Sequence, residues 1–145
     1  SGNTIDYSVI EKQIELASER FKIQSVGFDP WNSSDIVSRL IDFGIEFVEF
    51  IQGPKSYHPA MRGLETAYVS GKLRHGGDPV LTWCAANTIY VTDDSEYRRI
   101  SKKKSTGKVD GLVATVMACG VIEDTVVKSA YSGMSQKEMA DRMAM

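Results

Sequence analysis

The most informative segment of the chain reads Ser25-Val26-Gly27-Phe28-Asp29-Pro30. Its first residues are mostly apolar and predict a short strand that ends at Asp29, because Pro30 lacks the N–H that a strand ladder or a helical turn requires. Helical periodicity follows from Asp35 to Phe43, and alternating β-branched residues predict a second strand from Ile45 to Ile51. The order strand, helix, strand predicts an α/β fold with parallel pairing.

Four further helices are predicted around this unit. They run from Ile5 or Asp6 to Phe21 after a Thr4 cap, from Pro59 to Ser70, from Pro79 to Ala86 after an Asp78 cap, and from Gly111 to Val121. Leu73–His75 and Thr88–Thr92 are candidate short strands. Only two convincing strands are visible, which is few for a parallel sheet. We therefore expect a domain over residues 1–123 whose amino-terminal strands are missing, followed by a polar tail over residues 124–145.

Composition and charge are those of an ordinary single domain, with 145 residues, 42% hydrophobic residues and a formal net charge of −2. No apolar run approaches the roughly 20 residues that cross a bilayer, so no membrane partner is expected. One stretch is nevertheless strongly basic. It contains Arg98, Arg99, Lys102, Lys103, Lys104 and Lys108. This pattern is typical either of a solvated, flexible loop or of a loop that binds nucleic-acid phosphates.

Two acidic residues occupy positions at which functional carboxylates are often found, a strand end and a helix start. Asp29 follows a predicted strand, and Asp110 stands at the start of the most apolar helix. Both could be oxygen ligands of Mg²⁺ or Mn²⁺. The structural alternatives are a turn aspartate before proline for Asp29 and a helix cap for Asp110. Lys108 could pair with Asp110 or with a phosphate, or be an ordinary surface lysine.

Four other side chains are candidate site residues, and two of them are tryptophans. Trp31 and Trp83 are interpreted as core or rim aromatics, with Trp31 close enough in sequence to Asp29 to line a site. His58 is a candidate general base, although its turn context favours a surface or capping role. Asn87 could orient a ligand or simply end a helix.

Several segments resemble the large terminase subunits of tailed phages and prophages. Gly27 to Asn32 resembles their DPWN segment, and Lys108 to Ala114 resembles their K-I-D-G-x-x-A segment. Matching pieces lie between them in the same order, and the resemblance covers residues from about Ile5 to Val121. Each matching segment is short, but the occurrence of all of them in the same order is specific to this family.

The resemblance implies a nuclease domain of ribonuclease H-like, resolvase-type fold, with a mixed sheet flanked by helices. Such domains use three acids around Mg²⁺ or Mn²⁺, and Asp29 and Asp110 match the second and third. The strand that carries the first acid is not found here, so the fragment alone is expected to cut weakly or not at all. Lys108 completes the predicted catalytic group, and the six basic residues form the predicted DNA contact.

The implied function is cutting of concatemeric double-stranded viral DNA in the cytoplasm of a host bacterium. The implied partners are DNA and, in the whole assembly, the terminase small subunit and the portal. The alternative, from a different class, is a non-catalytic docking or DNA-binding module of the same assembly. No Walker-type glycine loop is present, so ATP hydrolysis by this piece is not expected.

Overall fold

The computed structural model describes residues 6–31 and 33–131. The helices are α1 Tyr7–Arg20, α2 Ser34–Leu40, α3 Pro54–Val69, α4 Pro79–Asn87 and α5 Asp110–Tyr131, with a 3-10 turn at Ile41–Phe43. The strands are β1 Ser25–Phe28, β2 Glu46–Glu49, β3 Tyr90–Thr92 and β4 Arg98–Ile100. The α/β class is confirmed. Among these residues, no helix is long and apolar enough to cross a membrane.

The strands form two small sheets. Strands β1 and β2 are parallel, with Ser25 opposite Glu46 and Phe28 opposite Glu49, which confirms the predicted pairing. Strands β3 and β4 form an antiparallel hairpin. Within the described ranges, the parallel and the antiparallel pairs therefore lie in separate sheets, and the expectation of one mixed sheet is not met there.

The predicted helix bounds need correction at their ends. Helix α1 is capped by Asp6, whose carboxylate accepts from Ser8 N at 3.0 Å, whereas the predicted cap Thr4 lies outside the described residues. Helix α3 begins at Pro54, so Pro59 lies inside it and not in its first turn. Pro54 suits the first position because the N–H that it lacks would have no partner in the helix there.

Later elements also differ from the prediction. The basic stretch was expected to be a loop, but its first residues form β4, and residues 73–75 form no strand. The Asp78 cap on α4 is confirmed by its bond from Leu81 N at 2.7 Å. Helix α5 runs ten residues beyond the predicted end at Val121, to Tyr131, so the boundary proposed after residue 123 falls inside a helix.

The core forms where α5 packs against α3, α4 and β1. Its buried side chains come from α3, α5, the end of β4 and the residues just after β2 and just before α5: Phe50, Tyr57, Ala60, Met61, Ile100, Val109, Val113 and Val116. Gly120 permits the closest approach, because a Cβ there would lie 2.6 Å from Phe50 Cε2 and 3.0 Å from Ala60 Cβ. This packing fixes the start of α5, and therefore Asp110, relative to the hairpin and α4.

Candidate active site

Asp29 is placed by a tight turn directly after β1. The ladder between the parallel strands extends as far as the bond from Phe50 N to Phe28 O, at 2.7 Å. Asp29 follows, and its Oδ1 accepts from Trp31 N at 3.1 Å, while its carbonyl accepts from the Ser33 hydroxyl. The turn interpretation of Asp29 is thus confirmed. It does not compete with a ligand role, because Oδ2 takes no part in these turn bonds.

Tyr57, in the first turns of α3, lies in the electrostatic neighbourhood of Asp29. Its side chain is 2% exposed, and its hydroxyl donates to Gln52 Oε1 at 3.2 Å. Burial, followed by the negative charge of Asp29, raises the pKa of Tyr57 to about 12, and the positive charge of Arg99 opposes the shift. Tyr57 therefore stays neutral at physiological pH and acts as a hydrogen-bond donor.

Sequence reasoning did not single out Tyr57 or Gln52. A signal was available, because Gln52 follows β2 much as Asp29 follows β1. The carboxyl ends of parallel neighbours meet at one sheet edge. Arg99 was predicted as a DNA contact. The structure places it on β4, exposed and within electrostatic range of Tyr57.

Asp110 is the first residue of α5 and is largely exposed. The helix already begins with the bond from Val113 N to Val109 O, at 2.9 Å. Asp110 therefore lies in the first turn, where a negative charge is favourable next to the unpaired N–H groups. Its Oδ1 lies 3.9 Å from Lys102 Nζ, and both side chains are more than half exposed. The ion pair is loose, so Asp110 remains accessible to other cations.

Arg98 differs from the rest of the basic stretch. Its guanidinium makes two bonds to the Glu65 carboxylate, at 2.7 and 2.9 Å, and lies over the Tyr90 ring. These bonds to Glu65 raise the pKa of Arg98. Arg98 thus fastens the hairpin to α3. Its contact with DNA stays a prediction, and a DNA phosphate would have to compete with Glu65 for the guanidinium.

His58 supports the same attachment. Its Nδ1 accepts from Arg98 N at 3.2 Å, and its ring lies 5.0 Å from that of Tyr97. This bond requires an unprotonated Nδ1 and uses the ring nitrogen that a general base would need. A structural role is therefore the better description of His58.

The segment after β4 is held by hydrogen bonds at both ends. Ser101 N donates to Ile89 O at 2.8 Å, and Thr106 N donates to Asn87 O at 3.2 Å. The Thr106 hydroxyl adds a bond to Asn87 Oδ1 at 2.9 Å. Asn87 thus fastens the loop to the end of α4. The exposed side chains of Lys102, Lys103 and Lys104 project from a turn whose backbone is hydrogen-bonded at both ends, and both interpretations of the basic stretch, a solvated loop and a phosphate-binding loop, stay predictions.

Lys102, Lys108 and Asp110 line one open cleft of about 420 Å³, together with Trp83. Asp29 does not line this cleft and shares its surroundings with Tyr57 and Arg99 instead. Among the described residues, no three Asp, Glu, His or Cys side chains are grouped closely enough to hold a metal ion. That Asp29 and Asp110 lie close enough to share one metal site, as the resemblance implies, therefore stays a prediction. The two tryptophans are not core residues, since Trp31 is 81% and Trp83 50% exposed.

Comparisons with known proteins agree on one family. The model of the family described as "Terminase large subunit, endonuclease domain" matches residues 1–125. The terminase large subunit of Enterobacteria phage HK97 is 36% identical over 129 residues, which are 88% of this chain and 26% of that protein. Protein YmfN of Escherichia coli strain K12 is 29% identical over 121 residues, which are 82% of this chain and 27% of that protein.

The crystal structure of the HK97 bacteriophage large terminase is also similar. It matches with a TM-score of 0.75 and 37% sequence identity, over 83% of this chain and 26% of that chain. The chain spans about a quarter of the length of the relatives that it matches.

Raising the pH should destabilise the fold through Tyr57. The phenol ionises near 10.0 when unfolded but near 12 in the fold. Its contribution to stability is therefore complete below pH 10 and is lost as the pH rises towards 12. The melting temperature of the wild type should fall more steeply across this window than that of Tyr57→Phe. Tyr68→Phe, at an exposed tyrosine, should follow the wild type. Parallel slopes for wild type and Tyr57→Phe would contradict this assignment.

Proposed function

The chain belongs to the terminase large subunit endonuclease domain family, and on that premise we propose that it is part of a metal-dependent endonuclease domain with which the whole protein cuts concatemeric double-stranded viral DNA. Its fold would then be of the ribonuclease H-like type. Its partners would be DNA and, in the packaging assembly, the terminase small subunit and the portal. The place of action would be the cytoplasm of the host bacterium.

The observation that carries the proposal is the cleft at the start of α5. An exposed carboxylate, that of Asp110, shares this cleft with the ammonium groups of Lys102 and Lys108. The carboxylate is suited to a divalent cation, and the ammonium groups are suited to phosphate oxygens. A nuclease that cuts a phosphodiester with a metal ion needs both kinds of group close together.

The available donors fit Mg²⁺ or Mn²⁺. Among the described residues, the turn bond to the Asp29 carboxylate uses Oδ1, and the Asp110 carboxylate is exposed and only loosely paired. Mg²⁺ prefers oxygen ligands and is commonly held by one or two carboxylates while it keeps several waters. When bound, such ions supply an activated water and stabilise the leaving oxygen of the phosphodiester. Asp29 and Asp110 are the residues that would hold them.

The remaining residues of the site act on the DNA backbone. Lys102, Lys103 and Lys104 would contact phosphates along the approaching strand, and Arg99 would extend this contact towards Asp29. Lys108, two residues before Asp110, would hold the phosphate on the scissile side. Such contacts position the duplex without reading its sequence, which suits an enzyme that cuts long concatemers.

Asp29→Asn and Asp110→Asn should each lower cutting of plasmid DNA by the full-length protein about 100-fold or more, since altering even a residue behind a metal ligand costs about 10- to 100-fold. Agarose gels with Mn²⁺ or Mg²⁺ measure this loss. Asp78→Asn is the matched control, because Asn caps a helix as well as Asp does. Asp78 precedes α4 as its cap, and this variant should cut like the wild type.

Other outcomes would redirect the proposal. If the full-length protein binds DNA but never cuts it in either metal, the docking or DNA-binding alternative is correct. If residues 1–145 alone cut strongly and Asp110→Asn abolishes this, the first acid lies within this chain and the expectation of a weak fragment is wrong.

Changing Lys102, Lys103 and Lys104 together to Gln should weaken duplex binding equally for all sequences. Each lost phosphate contact flattens the plot of log affinity against log salt by about 0.9. Folding should hardly change, because exposed lysines contribute little to stability. The control replaces three exposed lysines elsewhere, Lys12, Lys22 and Lys72, and thus keeps the net charge equal. Equal salt slopes for both triple variants would place the DNA elsewhere.

A further inference from the structure

Trp83 presents an open aromatic surface inside the Asp110 cleft. The cleft has a volume of about 420 Å³, within the range of about 300–1,000 Å³ typical of small-molecule sites. Trp83 is 50% exposed, although burying an indole is favourable. An exposed aromatic surface beside two lysines and an acid is a feature that the proposed metal chemistry does not use.

The position of the indole is fixed by the loop that it touches. A Cβ on Gly107 would lie 3.0 Å from Trp83 Cζ2 and 2.9 Å from Asn87 Cγ, so only glycine allows this close packing. Asn87 in turn bonds to the Trp83 carbonyl through Nδ2 at 2.9 Å and to the Thr106 hydroxyl. One edge of the ring is therefore held against the loop, and the half-exposed side chain also lines the cleft.

The charges around the ring favour an anion. Lys102 and Lys108 bring two positive charges to the cleft, and Asp110 brings one negative charge. Lys102 lies near Asp110, whereas no described carboxylate lies within ion-pair distance of Lys108. An aromatic surface next to a lysine without an acidic partner is the arrangement with which proteins hold single-stranded nucleic acid, by stacking a base and binding its phosphate.

We propose that this cleft binds one unpaired nucleotide of the DNA strand, with its base stacked on Trp83 and its phosphate held by Lys108 and Lys102. In an intact duplex, the faces of each base are covered by its neighbours, so the stack requires a locally opened strand. The inference rests on the proposed function and deepens it, because the strand that reaches Asp110 is then opened before it is cut.

Fluorescence of residues 1–145 tests the stack directly, since the chain contains two tryptophans. In the Trp31→Phe variant, Trp83 is the remaining indole. Titration with a 20-nucleotide oligothymidylate in EDTA should quench its emission at saturation, and a blunt 20-base-pair duplex should quench it much less. Equal quenching by both ligands, or binding of oligothymidylate without quenching, would overturn the proposal.

Affinities measured by anisotropy of labelled DNA complete the test. Trp83→Leu should weaken oligothymidylate binding about 5- to 150-fold, the range expected for loss of one base stack, and leave duplex affinity within about twofold. Tyr68→Leu removes an exposed aromatic ring outside the cleft and should change neither. Unchanged oligothymidylate binding by Trp83→Leu, with duplex binding intact, overturns this inference and leaves the proposed function standing. Failure of the full-length wild type to bind either ligand overturns both.

Discussion

The packing of α5 against three neighbours constrains the rest of the molecule. This helix contacts α3, α4 and β1, so it must be apolar on several faces, and Val113, Val116 and Val121 are all buried. Such a helix can expose functional polar side chains only at an end that lies outside the core. Asp110 stands at that point, and the burial of Val109 and Val113 on either side fixes its position.

The same packing explains how the basic loop is attached to the rest of the domain. Ile100 ends β4 in the core and Val109 precedes α5 in the core, so the loop is anchored by a buried residue at each end. Between them, bonds to Asn87 and Ile89 hold its backbone. Its lysines are therefore presented from a defined position beside Asp110, and the charges of the site are arranged before any ligand arrives.

How much of this could be predicted depends on how local each signal is. The strand before Asp29 and the Asp78 cap follow from neighbouring residues and are confirmed.

Strand β4 was missed because Arg98-Arg99-Ile100 carries one apolar residue and no alternation, and the partners that stabilise it, Glu65 and His58, lie more than thirty residues away. The start of α3 was misplaced because Pro54 and Pro59 both suit a first turn, and tertiary packing of Tyr57 decides between them. Whether Asp29 and Asp110 meet depends on packing across the whole core, which no local pattern encodes.

The proposed function requires that Asp29 and Asp110 together hold a divalent metal ion. Crystals of this chain soaked in Mn²⁺ test it most directly through an anomalous difference map. Mn²⁺ should lie within about 2.0–2.6 Å of a carboxylate oxygen of each residue, as one bridging ion or as two ions about 4 Å apart. Mn²⁺ bound at one of the two acids alone, or ordered Mn²⁺ that touches neither, would contradict it.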